Sequence, residues 1–384
     1  MDCAEGSRQP DSGAFLPVFD LRRHDAAIAA EIERAVRETM ASGWFVLGRA
    51  GERFERAFAE WLGGGHVVGV GSGTDALMLA LRSAGVGAGD DVITVPNTAV
   101  PTVNAISAVG AVPVFVDVEP ESALLDPSLL AGALTPATRA IIPVHLYGRA
   151  VPMEPILAFA RAHDLAVIED AAQAHGAITN GRPAGTWGDY GCFSFYPSKN
   201  LGAYGDAGAI WTADADRASH LKRLRNYGQT DRYVHDSIGV NSRLDELQAA
   251  ILLAKLPHLR EWNARRIELA ALYRELLAPL PLALPSRAKP GSHVHHLFPV
   301  RVPRRERVRE ALSKRGIATQ IHYPIPIHRQ HAYEFLGRMP GSYPQAEAWC
   351  AETLSLPFSP VLGENDAHRI ADALEAALTE SARD

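Results

Sequence analysis

Cysteine is scarce: Cys3, Cys192 and Cys350 are the three in 384 residues. They stand far apart with no C-x-x-C pair, which excludes a disulfide framework and a cysteine zinc site and fits a reducing compartment. Buried in an apolar run, Cys192 reads as a small core residue rather than a nucleophile. Long apolar runs are also missing, and none approaches the roughly 18 residues that a membrane-spanning helix needs. The opening stretch, MDCAEGSRQPDSG, has neither the basic nor the apolar region of a secretory signal. The expected location is therefore the cytoplasm. Positive charge is not in excess: the net charge is −6, which gives no reason to expect nucleic acid or membrane as a partner and leaves room for a local basic pocket. Internal repeats and low-complexity tracts are absent too.

What is present is an ordinary core-forming composition, 47% hydrophobic and 21% charged, long enough for a large domain and a smaller one. Apolar runs of strand length alternate with amphipathic stretches, the pattern of parallel strands joined by crossover helices. VVGV, DVITV, VPVFVDV, RAIIPVHL, LAVIED, CFSFY and GAIWTA predict seven strands. The fold class is thus α/β: a large domain with a mostly parallel seven-stranded sheet, flanked by helices, plus a smaller C-terminal α+β domain. A helix is expected over residues 20–40 and another over 52–62. Residues 243–277 read as almost continuous helix interrupted at Pro257, and the domain boundary is placed there, giving residues 1–255 and 256–384. Residues 279–292, PLPLALPSRAKPGS, read as an exposed linker.

Three stretches carry chemistry. In GVGSGTDALMLAL, residues 69–81, a strand runs through glycines into a helix, whose free N–H groups and positive dipole end suit a phosphate; a plain helix cap is the bland alternative. A dinucleotide fingerprint fits poorly, because Asp90 and Asp91 precede the next strand instead of ending it. Asp170 closes the strand LAVIED, where α/β folds offer ligand contacts, although a lone acid there can also cap a helix. Lys199 follows CFSFY and precedes a glycine-rich return. Held in an apolar pocket, a lysine loses ammonium solvation, its pKa falls, and the neutral amine becomes a nucleophile toward carbonyl groups. Phosphate cradle, strand-end acid and pocket lysine, in that order, are what a pyridoxal phosphate site needs.

At these residues the chain resembles the DegT/DnrJ/EryC1/StrS sugar aminotransferases, of the aspartate-aminotransferase-like fold. The motifs are GSGTDAL, VHLYG, EDAAQAHG, FSFYPSKNLGAYGDAGAI, RLRNYGQ, GVNSRLDELQAAIL and QIHYPIPIHRQHAY, and the resemblance spans nearly the whole chain. It implies pyridoxal 5′-phosphate as cofactor, with Lys199 as the Schiff-base lysine, Asp170 on the pyridine nitrogen and Gln173 near the ring hydroxyl. It implies Gly73, Thr74 and Ser194 on the phosphate, and Asn241 reaching the phosphate of a neighbouring subunit, hence a homodimer with shared active sites. Arg243, His322, Tyr323 and His328 are implied near the substrate. In one departure, Ala99 stands where relatives commonly stack an aromatic residue on the ring.

The implied reaction takes an amino group from glutamate or glutamine to a keto sugar on a nucleoside diphosphate, with dTDP favoured as carrier, in amino-sugar biosynthesis. RLRNYGQ followed by NSRLDELQAA favours C-3 over C-4. Related dehydratases carry histidine where Lys199 stands, which argues for transamination. A cofactor-binding sensor would be expected to carry a DNA-binding module, for which the ends beyond the fold read as too short; a nicotinamide-dependent sugar oxidoreductase stays as the last rival, told apart by the visible absorbance of a protonated internal aldimine. The run HVHH, residues 293–296, has no accompanying acid or cysteine cluster, so no metal is expected.

Overall fold

The structure is a computed structural model and describes residues 15–383. Cys3 and the polar opening stretch lie outside the described residues. Seven strands form, one from each apolar run: β1 (His66–Val70), β2 (Asp91–Thr94), β3 (Val112–Phe115), β4 (Thr138–Ile141), β5 (Ala166–Asp170), β6 (Tyr190–Ser194) and β7 (Gly208–Thr212). Their order in one sheet is β1-β7-β6-β5-β4-β2-β3. β7 runs antiparallel to both of its neighbours, and every other pairing is parallel. The expected α/β class with a mostly parallel sheet is therefore the observed one.

This topology decides where a ligand sits. The parallel strands all end on one side of the sheet, and β7, being reversed, begins there. Several glycines allow the tight approach. A Cβ on Gly208, at the start of β7, would lie 2.3 Å from the Ser72 carbonyl oxygen, so the return strand touches the loop after β1. Helix Gly73–Ser83 starts from that loop, with Ser72 as its cap: Ser72 Oγ accepts from Asp75 N–H at 3.1 Å.

Near the N-terminus the single helix read over residues 20–40 is two, Leu21–Ala26 and Ala29–Ser42. Asp20 caps the first, and the chain turns at Ile28, which packs with Ile32 and Ile251. The turn also buries Asp25 against Lys255 Nζ at 2.8 Å. The second helix, read over 52–62, begins earlier, at Arg49–Trp61. The long helical stretch divides into Glu246–Lys255 and Leu259–Leu277 around a single 3₁₀ turn holding Pro257, as a ring without an N–H dictates.

In the C-terminal part, β8 (Pro299–Arg301) pairs antiparallel with β9 (Thr353–Ser355). Leu269, Tyr273, Phe298, Val308, Leu354, Phe358 and Leu374 share a core there. Leu16 joins that core from the other end of the chain. Residues 279–292 are not a free linker: Leu280, Leu282 and Leu284 pack on this core, and Ala283 bridges Arg301. Ile327, Tyr333, Tyr343 and Trp349 pack instead into the core beside β2, β3 and β4, and Asp117 accepts the N–H groups of Gln345 and Ala346 at 2.9 Å each. Among the described residues no helix is long and apolar enough to cross a membrane.

Candidate active site

A cavity of about 380 Å³ opens where the strands end. Its wall takes Ser72, Gly73 and Thr74 from the loop after β1, Thr98, Ala99 and Pro101 after β2, and Val144 and His145 after β4. Asp170, Ala172 and Gln173 come from the end of β5, Ser194, Tyr196 and Lys199 from the end of β6, and Asp206 and Ala207 from just before β7. Carboxyl ends of parallel strands are where α/β sheets place ligands. A wider cleft of about 850 Å³ lies elsewhere, beside helix Ala29–Ser42. Glu31, Glu38, Glu52 and Glu246 line it, and Glu246 is spent on the N–H groups of Gly48, Ala50 and Gly51.

The cradle end is built for an anion. Gly73 and Thr74 are the first residues of their helix, so their N–H groups have no intrahelical partner. A Cβ on Gly73 would lie 2.7 Å from Ser194 Cβ, so glycine is what lets β6 close against the helix start. Ser194 Oγ accepts from Tyr196 N–H at 3.3 Å, which leaves its own hydrogen to donate.

Asp170 is buried and held on both oxygens. Thr102 Oγ1 donates to Oδ2 at 2.7 Å, and Ala172 N–H donates to Oδ1 at 3.1 Å. Thr98 lies 2.9 Å behind Thr102. Next to it, Glu169 is fully buried and turned to the other face, accepting from the N–H groups of Gly185, Trp187 and Gly188 at 2.8, 2.6 and 2.7 Å. It also takes His145 Nε2 at 2.8 Å, while His145 Nδ1 accepts from Val151 N–H at 2.9 Å. The adjacent acids thus divide the work: Glu169 braces the loop, and Asp170 faces the cavity.

Lys199 is half-buried, and among the described residues nothing hydrogen-bonds or ion-pairs with its Nζ. Burial lowers its pKa to about 8, against the opposing pull of the Asp170 carboxylate. Behind it His175 is wholly buried between Phe193 and Phe195, and burial followed by the charge of Lys199 lowers its pKa to about 3.

A second cavity of about 390 Å³ shares Gln173, Tyr196 and Lys199 with the first. Phe19, Leu21, Pro197 and Leu297 give it apolar walls, and Ser198, His296, Gln320, His322 and Tyr323 give it polar ones. Tyr323 accepts from Gln173 Nε2 at 3.1 Å, and His322 Nδ1 lies 2.9 Å from Ser355 Oγ.

Eight of the eleven site residues named from the sequence line these two cavities. The count excludes three. His328 is buried against Glu347, 3.1 Å from its Oε1, and under the ring of Tyr343, and it lines neither cavity. Its neighbours explain this: the segment after Tyr323 turns into the large core. Asn241 is exposed and bridged to Asn226, and Arg243 donates to Asn226 Oδ1 at 2.9 Å and lies over Tyr227. Neither lines the cavity of its own chain. Ala99 caps helix Val100–Ala108 and lines the first cavity. Sequence reasoning missed Thr102, Tyr147, Phe19 and His296; a buried polar residue inside each family motif was the available signal for Tyr147 alone.

The residues fit pyridoxal phosphate on the evidence of the glycine-dependent cradle, the unpaired amine and the braced acid. The DegT/DnrJ/EryC1/StrS aminotransferase family model matches residues 26–375. The chain belongs to that family. It is a pyridoxal phosphate-dependent aminotransferase. It is 46% identical over 360 residues to a dTDP-3-amino-3,4,6-trideoxy-alpha-D-glucose transaminase of Streptomyces venezuelae, covering 94% of this chain and 95% of that one. The solved structure of S. venezuelae DesV superposes with a TM-score of 0.92 at 45% identity, over 94% of this chain and 98% of that one. A Bacillus subtilis relative, NtdA, solved with bound cofactor PMP, gives 0.89 at 31% identity over 98% and 87%. Among the described residues no group of three or more His, Cys, Asp or Glu is placed to hold a metal ion. His293 and His295 stack at 3.7 Å instead, and burial lowers the pKa of both.

The site predicts an amine that titrates early. In the cofactor-free enzyme, Lys199 should react with an amine-selective reagent with a midpoint near pH 8 instead of its ordinary 10.5. Asp170→Asn removes the attraction that favours the ammonium and should lower the midpoint further. Peptide-mapped labelling across pH measures it; a midpoint near 10.5, or a rise in the variant, is the contrary result.

Proposed function

We propose that this aminotransferase moves an amino group from glutamate or glutamine to C-3 of a keto sugar carried on a nucleoside diphosphate, with dTDP as the carrier, in amino-sugar biosynthesis. The observation that carries the reading is the position of Lys199: one unpaired amine on the wall shared by two cavities. The first cavity suits the cofactor. Gly73, Thr74 and Ser194 would hold its phosphate, Asp170 its ring nitrogen, Gln173 its ring hydroxyl and Lys199 its aldehyde carbon. Bound there, pyridoxal phosphate supplies an aldehyde that takes up amines and a ring that withdraws electrons from the carbon to be deprotonated.

The chain's own groups do the rest. Lys199 Nζ, with its lowered pKa, gives up and regains a proton near neutral pH. Asp170, fixed by Thr102 and Ala172, would hold a proton on the ring nitrogen of the bound cofactor. The second cavity, with apolar and hydrogen-bonding walls and no cation except Lys199, matches an uncharged sugar ring with deoxygenated edges. Burial followed by the charge of Lys199 lowers the pKa of His322 to about 4, which keeps that ring neutral there.

The diphosphate and the donor carboxylates need cations that these walls lack. That absence supports a homodimer in which Asn241, exposed on its own chain, and Arg243, half-buried beside it, complete the neighbour's site. The same reading divides the chain into a cofactor-binding lobe, residues 1–255, and a C-terminal lobe, residues 256–384. It places the enzyme in the cytoplasm and gives nucleic acid and membrane no part. The choice of C-3 is supported by the resemblance of RLRNYGQ with NSRLDELQAA to 3-keto-sugar enzymes and by the similarity to the S. venezuelae 3-amino-sugar transaminase.

Two experiments test these statements. The loaded enzyme is treated with glutamate or glutamine, freed of donor, and given dTDP-linked 3-keto and 4-keto deoxysugars. An amine on C-3 by NMR is expected, and an amine on C-4 alone would move the assignment. Mixing Lys199→Ala with Asn241→Ala subunits then tests the shared site, because one site of the mixed dimer keeps both residues. Exchanged subunits should regain part of the activity, whereas a verified mixture no better than its parents would place Asn241 within its own site.

A further inference from the structure

Gln173 stands between the two cavities with its amide fixed from both ends. Its Oε1 accepts from the backbone N–H of Tyr147 at 2.6 Å. The two ends of a glutamine amide look alike in shape, but a backbone N–H only donates, so the oxygen must face Tyr147. Its Nε2 donates one hydrogen to Tyr323 Oη at 3.1 Å and keeps the second. Gln173 is 5% exposed and lines both cavities, so the unspent group it offers to a ligand is a donor.

Tyr147 is held in an unusual backbone state to do this. Its φ of 59° and ψ of 7° lie in the left-handed region, which a residue with a Cβ adopts at a cost. The strain is offset from both sides: Tyr147 Oη donates to the His322 carbonyl at 2.5 Å, and its own carbonyl accepts from His296 N–H at 2.9 Å. His322 and Tyr323, neighbours in sequence, therefore each meet one end of the arrangement.

We propose that Tyr147 and Tyr323 are positioning residues that hold Gln173 as a hydrogen-bond donor toward the ring oxygen of the bound cofactor. The inference rests on the reading above that places that oxygen beside Gln173. A donor stabilises the oxygen when it is negative, whereas the reversed amide would set a lone pair against it. The consequence is a lower proton affinity for the cofactor bound at Lys199, with the ring oxygen carrying its charge at neutral pH. The titratable and charged groups that line the two cavities with this amide are Lys199, Asp170, Asp206, His145, His296, His322, Tyr196 and Tyr323, and Tyr147 adjoins its oxygen. Burial raises the pKa of Tyr147 and Tyr323, so neither takes charge near neutrality.

The test is a spectroscopic titration of the pyridoxal phosphate-loaded enzyme, in which the pKa of the visible band is read for parent, Gln173→Glu, Tyr323→Phe and Tyr147→Phe. Gln173→Glu turns a donor into an acceptor and should raise the pKa by about one unit or more. Tyr323→Phe and Tyr147→Phe should each raise it by a fraction of that, with several-fold weaker cofactor retention by equilibrium dialysis. Phenylalanine variants that titrate with the parent while Gln173→Glu is shifted would overturn the positioning role. An unshifted Gln173→Glu would overturn the donor role itself. A parent with no visible band would instead refute the cofactor reading. If Tyr147→Phe fails to fold by circular dichroism, Tyr323→Phe decides the question.

Discussion

An ammonium taken out of water seeks an anion, and the carboxylate whose charge acts on Lys199 is Asp170. A closed ion pair would satisfy both and leave no nucleophile. The fold keeps them apart: Thr102 and Ala172 occupy the two oxygens of Asp170, and among the described residues Lys199 Nζ has no hydrogen-bond or ion-pair partner. The carboxylate still acts through space and keeps the lysine pKa near 8 where burial alone would take it lower. Acid and amine thus remain available to a ligand lying between them.

That separation is a property of the sheet. Asp170 ends β5 and Lys199 follows the end of β6, and these strands are parallel neighbours. The phosphate cradle follows β1, which lies beyond β7. Reversing β7 brings its starting glycine against Ser72, so cradle, lysine and acid occupy one end of a rigid support. Glu169 then ties the loop of Gly185–Gly188 to β5, and Gln173 ties the strand ends to the C-terminal segment through Tyr323.

Much of this was legible in the sequence. The seven strands followed from apolar runs, although RAIIPVHL stops at Ile141, where Pro143 prevents a continued ladder. Lys199, Asp170 and the Gly73 cradle were readable because each is a local signal: a charge in an apolar run, an acid at a strand end, glycines before a helix. What was not legible depends on distant pieces meeting. Phe19 lines the second cavity beside His296, and Leu16 joins a core made mostly of residues beyond Leu269. Tyr147 gives no sign in sequence of a left-handed backbone, since glycine is the residue that usually announces one. His328 sits in a family motif, yet the chain turns it into the core against Glu347.

The central claim is that Lys199 is the amine that takes the cofactor. Its most direct measurement is the mass of the tryptic peptides after borohydride reduction of the pyridoxal phosphate-loaded enzyme. A pyridoxyl adduct on the peptide carrying Lys199, and none anywhere in Lys199→Ala, is the expected result. An adduct on a different lysine of the unsubstituted enzyme, or an undiminished one in Lys199→Ala, would contradict it.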